Sequence, residues 1–130
     1  MQLDQLKAVR LFSSLSKKEL EQLSQWTDQI SVDKGYELAT EGSFAHEFFV
    51  IEEGTADVLK DGERIAELGP GDFFGEIGLI ETERRTATVV ATQPMQLIVM
   101  FQREFKQMEQ AMPAVADRIR SAIRARLAEG

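Results

Sequence analysis

The chain has 130 residues, 43% of them hydrophobic, and a formal net charge of −7, which is room for one domain able to build its core without covalent staples. No cysteine and a single histidine exclude a disulfide framework, a thiolate metal site and a metal site built from several histidines, and fit a reducing compartment. The amino terminus lacks the apolar core of a secretory signal and no apolar run approaches the ~20 residues of a bilayer span, so no membrane segment and a cytoplasmic location are expected.

Leu3, Leu6 and Val9 suggest a short first helix, with Leu11, Phe12 and Leu15 as an apolar connector. Ser16 and Glu19 then form a capping-box pattern ahead of Leu20, Leu23 and Trp26, which predicts a helix over 16–26. From Asp28 to Met100 the punctuation changes, with glycines recurring every few residues between short β-rich runs. The runs are 30–32, 36–38, 48–52, 56–59, 64–68, 86–91 and 96–101, and Asp61-Gly62 is a two-residue hairpin signal. About eight short strands predict a mainly β fold, an eight-stranded antiparallel jelly-roll barrel of two closed sheets, large enough inside for a small ligand and flanked by helices at both ends. After it, Phe105, Met108 and Met112 mark one helix, and Pro113 opens another through Val115, Ile119, Ala122, Ile123 and Leu127. Arg118, Arg120, Arg124 and Arg126 stand on that last helix. They read as its solvated face, because the acidic remainder of the chain argues against nucleic-acid binding.

Residues 74–91 carry the most chemistry. Gly75 and Gly78 flank Glu76, a short apolar turn follows, and Arg84-Arg85 run into Thr86, Ala87 and β-branched residues. The glycines would let the backbone come close to a ligand, and the turn would offer unpaired N–H groups and a positive helix end to an anion. Arg85 would fork onto two phosphate oxygens with the Thr86 hydroxyl beside it. Glu76, if ionised, would repel phosphate and is expected to accept from a sugar hydroxyl instead. Neighbours on an extended segment point to opposite faces, so Arg84 is expected in solvent if Arg85 points inward. Asp72 reads as a turn or cap residue and His46 as a surface loop residue. On residue type alone, Glu76 and Arg85 could equally be a structural ion pair or two solvated charges.

The segment closely resembles the phosphate-binding cassette of the cyclic nucleotide-binding domain family, in which Phe-Gly-Glu, two apolar residues and later Arg-(Thr/Ser/Ala)-Ala recur. Phe74-Gly75-Glu76 and Arg85-Thr86-Ala87 carry the match, and Arg84-Arg85-Thr86-Ala87 is similar to the cassettes of cyclic-nucleotide-gated channels. The likeness extends over nearly the whole chain, through residues 10–16 ahead of the barrel and 69–75 leading into the cassette. It implies helices over 1–27, a jelly roll over 28–101 with its cassette at 74–87, and hinge and lid helices over 102–128. By the same resemblance Glu76 would hold the ribose hydroxyl and Arg85 the cyclic phosphate. Gly75, Ile77, Gly78, Leu79, Thr86 and Ala87 would line the pocket, and Ile119, Ile123, Arg124 and Leu127 are lid candidates over the base. The hinge would lie near 97–105, and the last helix could also serve as a dimer seam.

The expected function is that of a regulatory sensor in signal transduction, without a catalytic set, a metal or a cofactor beyond its ligand, cyclic AMP or cyclic GMP. A hydroxyl at Thr86 leaves the choice of base open. With no helix-turn-helix, kinase or channel pattern in the sequence, output is expected through a downstream protein, an effector domain or a homodimer. Two other readings keep the same fold: a jelly roll that has lost its nucleotide and serves as a docking surface, and the sensor half of a transcription regulator.

Overall fold

A computed structural model describes residues 9–44, 46–81 and 84–129. After a 3-10 turn at Arg10–Phe12 come helix α1 (Lys17–Ser24) and strands β1 (Asp28–Val32), β2 (Glu37–Ala39), β3 (Glu47–Glu53), β4 (Ala56–Lys60), β5 (Glu63–Leu68) and β6 (Phe73–Phe74). The short helix α2 (Ile77–Ile80) leads to β7 (Thr88–Ala91) and β8 (Met95–Phe101), and helices α3 (Gln102–Ala111) and α4 (Pro113–Glu129) end the described chain. The helix expected around Leu3 and Leu6 lies outside the described residues.

The strands form two antiparallel sheets, ordered β1-β8-β3-β6 and β2-β7-β4-β5, which is the eight-stranded jelly-roll arrangement. The sheets stay as two layers, with edges at β1, β6, β2 and β5, where a closed barrel was anticipated. A continuous apolar run within a strand is buried on both faces, and residues 48–51 of β3 and 97–100 of β8 are of this kind. Their side chains alternate with the period of two that a strand imposes. Phe49, Ile51, Leu97 and Val99 face the second sheet, packing with Leu38, Ala56, Val89 and Ala91. Phe48, Val50, Ile98 and Met100 face the helices, packing with Phe12, Leu20, Leu23, Phe105, Met108, Ile119 and Ile123. The result is three layers, helices on sheet on sheet, with the central sheet shared by two cores. Among the described residues no helix is long and apolar enough to cross a membrane.

Local chemistry sets the joints. The Ser16 hydroxyl accepts from the Glu19 N–H at 3.1 Å, and the Glu19 carboxylate accepts from the Ser16 N–H at 2.9 Å, so both ends of the capping box are made. Asp61 and Gly62 take φ of 53° and 80°, the double positive that a two-residue hairpin with matching twist demands, and Lys60 pairs with Glu63 across it. Asp72 closes the turn before β6 as expected, its Oδ2 accepting from the Gly69 N–H at 2.8 Å. The pair Phe73–Phe74, anticipated only as a lead-in, forms the edge strand β6 against Phe49 and Val50. The run over 86–91 starts its ladder two residues late, at Thr88. The Arg85 main chain is already bonded to the β2–β3 loop, its N–H donating to Ser43 O at 2.6 Å and its carbonyl accepting from Gly42 N–H at 2.9 Å.

Candidate functional site

Between the second sheet and the 73–87 segment lies a cavity of about 310 Å³. Ala39, Val58, Leu68 and Val89 give it an apolar floor, Phe73 and Phe74 a wall, and Glu76, Arg84, Arg85 and Arg126 its charges. The remaining lining comes from Gly75, Ile77, Gly78, Thr86 and Ala87. Of the eight sequence-predicted site residues, Leu79 alone does not reach it: its side chain is 1% exposed and packs into the helical core. The one-turn helix turns that side chain away from the cavity and ties the segment to the helices.

Arg85 is held from three sides. Its Nη2 donates to the main-chain oxygen of Glu47 at 2.8 Å, in addition to its two main-chain bonds to the β2–β3 loop. Burial pushes its pKa below the ordinary guanidinium value, while the charges of Glu47 and Glu76 act the other way; an arginine still stays protonated at any physiological pH. Gly75 makes this placement feasible. Its φ is +84°, and a Cβ there would collide with the Glu47 oxygen and stand 2.6 Å from the Arg85 Nη1. Two independent constraints, a left-handed backbone and a close approach, therefore require glycine at this position.

Glu76 precedes α2 and is 9% exposed. Its Oε1 lies 3.0 Å from Nη1 of Arg126. The turn contributes fewer free donors than its glycines suggest, because the Gly78 N–H already donates to Gly75 O at 3.0 Å and the Leu79 N–H to Glu76 O at 3.1 Å. Arg84 is exposed, as expected of the outward neighbour. It nevertheless borders the cavity, because its guanidinium is clasped at the rim, with Nη1 donating to Gly42 O at 2.7 Å and Cζ 4.6 Å from the Phe44 ring centroid. Thr86 is exposed at the mouth. His46 is exposed in the loop before β3.

The last helix is not an open flap here. Ile119 and Ile123, expected as lid residues, are 1% and 0% exposed in the core beneath α4. Arg124 is exposed and does not line the cavity, and the side chain of Leu127 lies outside the described part. The α4 residue at the cavity is Arg126, stacked 4.3 Å from the Phe73 ring centroid. The sequence held a signal for it: positions 119, 123 and 126 share one helical stripe, so a cation there continues a buried row. Arg118 and Arg120 are engaged elsewhere, the first with Glu19 and the Ser14 carbonyl, the second with Glu109 and Asp117.

The family model for the cyclic nucleotide-binding domain matches residues 29–111 of the chain. The chain belongs to the cyclic nucleotide-binding domain family. Within that family it is 36% identical, over 84 residues, to a cAMP-dependent protein kinase regulatory subunit of Yarrowia lipolytica, a match covering 65% of this chain and 22% of the relative. A cGMP-dependent protein kinase of Eimeria tenella is 34% identical over 88 residues, 68% of this chain and 9% of that protein. The chain thus spans less than a quarter of either kinase relative. Among solved structures it is similar to the N-terminal domain of a transcriptional regulator from Streptomyces coelicolor, with a TM-score of 0.87, 25% identity and coverage of 97% of this chain and 94% of that one. The family match includes the 74–87 segment.

Proposed function

We propose that this cyclic nucleotide-binding domain binds a cyclic mononucleotide, cyclic AMP or cyclic GMP, in the cavity beneath β6 and α2, and acts as a non-catalytic cytoplasmic sensor. One observation carries the reading: in a chain of this family, a desolvated cation, Arg85, and a buried carboxylate, Glu76, face the same cavity. Arg85 takes the cyclic phosphate and Glu76 accepts from the ribose 2′-hydroxyl. The chemistry supports that division, since an anion seeks the guanidinium and an ionised carboxylate can only accept. The apolar floor suits the base, and 310 Å³ falls at the lower end of the ~300–1,000 Å³ of small-molecule sites. The kinase relatives, one named for cAMP and one for cGMP, support the ligand class and leave both bases open.

Signalling follows as a population shift. Leu79 couples α2 to the helical core, so a ligand that binds better when α2 is drawn in biases α3 and α4 by its differential affinity. The output passes to an effector domain, a downstream protein or a second copy through α4. Thermal melts with cyclic AMP, cyclic GMP and cyclic di-GMP test the reading. A ligand at 100 times its dissociation constant adds about 2.7 kcal/mol, and a clear upward shift with at least one cyclic mononucleotide is expected. No shift with either would favour a docking module without nucleotide.

A further inference from the structure

One cavity residue comes from outside the 73–87 segment and the sheets. Arg126 reaches in from the last turns of α4 and brings its Nη1 to 3.0 Å from Glu76 Oε1. That nitrogen is buried, yet none of its N–H bonds is directed at an acceptor. The contact is therefore a close pairing of charges without an aligned hydrogen bond, and the directional part of a hydrogen bond's strength is missing from it. The flat face of the guanidinium rests on Phe73 at 4.3 Å, a seat that does not depend on the carboxylate.

We propose that Arg126 is a specificity-determining residue that competes internally for the Glu76 carboxylate. The inference rests on the ribose role assigned to Glu76 above. A 2′-hydroxyl arriving at Glu76 meets an acceptor already neutralised by Arg126, and a residue only 9% exposed has little room for both partners. Binding exchanges a misaligned ion pair for an aligned O–H···O bond, and the arginine withdraws along Phe73. Since Ile119 and Ile123 hold α4 in the core, the exchange is confined to the Arg126 side chain and the end of the helix. Arg126 thereby lowers affinity for ribose ligands and narrows the margin by which ribose is preferred to 2′-deoxyribose. A residue that capped the ligand would do the opposite.

The test has two arms. In protein without nucleotide, hydrogen exchange over residues 124–129 should accelerate in Glu76→Gln and at least as much in Arg126→Gln, which also loses the seat on Phe73, and the double variant should show no gain beyond Arg126→Gln. In calorimetric titrations, Arg126→Gln should bind cyclic AMP about tenfold more tightly, the scale of one charge-assisted contact. It should gain little for 2′-deoxy cyclic AMP and nothing in the Glu76→Gln background. Weaker binding by Arg126→Gln, or an equal gain for both nucleotides, overturns the competition alone. Unchanged exchange in Arg126→Gln overturns the pairing itself, whatever binds. Altered exchange with no nucleotide bound by wild type or any variant overturns the nucleotide reading and the competition with it.

Discussion

The Arg85 Nη2 donates to the main-chain oxygen of Glu47 at 2.8 Å, and this bond connects the cation of the cavity to the frame of the central sheet. Glu47 opens β3 and pairs with Phe101, the last residue before α3, whose N–H is capped by the Glu104 carboxylate at 3.0 Å. The phosphate candidate is thus two links away from the junction between sheet and helices.

Gly75 stands against that bond, so Gly75→Ala should disturb it. Strain at a positive φ and overpacking each cost about 1–3 kcal/mol. Thermal denaturation should show a loss in that range, and cyclic nucleotide binding should weaken because Arg85 is displaced. Wild-type stability together with wild-type affinity would contradict the close approach described at Gly75.

Glu76→Gln keeps the shape of the side chain and removes its charge. Its preference for cyclic AMP over 2′-deoxy cyclic AMP should fall, by about five- to tenfold for the loss of one charge-assisted hydrogen bond. Competition binding with the two nucleotides measures this, and equal discrimination by both proteins would take Glu76 out of the ribose role.

Ile123 is fully buried under α4, so Ile123→Ala should destabilise the domain by about 2–5 kcal/mol. Urea denaturation measures it. A loss below about 0.5 kcal/mol, typical of exposed positions, would mean that the helix is not anchored in the core as described.

How much of this was legible follows from what each signal encodes. Strand existence was clear because glycine punctuation and β-branched runs are local. The two-sided burial of β3 and β8 was not read from the sequence, although both strands hold continuous apolar runs, and the pairing order of the sheets depends on long-range register that spacing does not record. The segment 74–87 was readable because glycine, carboxylate and guanidinium sit close in sequence. Leu79, placed in the pocket by the resemblance, packs in the helical core instead, because a helical turn sends successive side chains in different directions. Arg126 was missed because its partner Glu76 lies fifty positions earlier. The helical stripe through positions 119 and 123 pointed to it, yet four arginines on one helix read most simply as a solvated face.

Glu19 accepts from the Ser16 N–H and pairs with Arg118, and the main-chain bond first, then the arginine, hold its pKa below the usual 4.5. A carboxyl group depressed in the folded state adds stability that is complete above the unfolded value and is lost as pH falls through the folded one. The stability difference between wild type and Glu19→Gln should therefore be constant near neutrality and shrink below about pH 4. Urea midpoints at pH 7, 5 and 3 give the comparison, and a difference independent of pH would contradict the assignment.

The central claim is that Arg85 anchors the phosphate of a cyclic nucleotide in the cavity. Isothermal titration of cyclic AMP and cyclic GMP into wild type and Arg85→Ala tests it most directly. Wild type should bind at least one of them, and the variant should bind that nucleotide more weakly by about 2–5 kcal/mol, or roughly 30-fold to several-thousand-fold. Equal affinity in the two proteins would contradict the assignment of Arg85 to the phosphate.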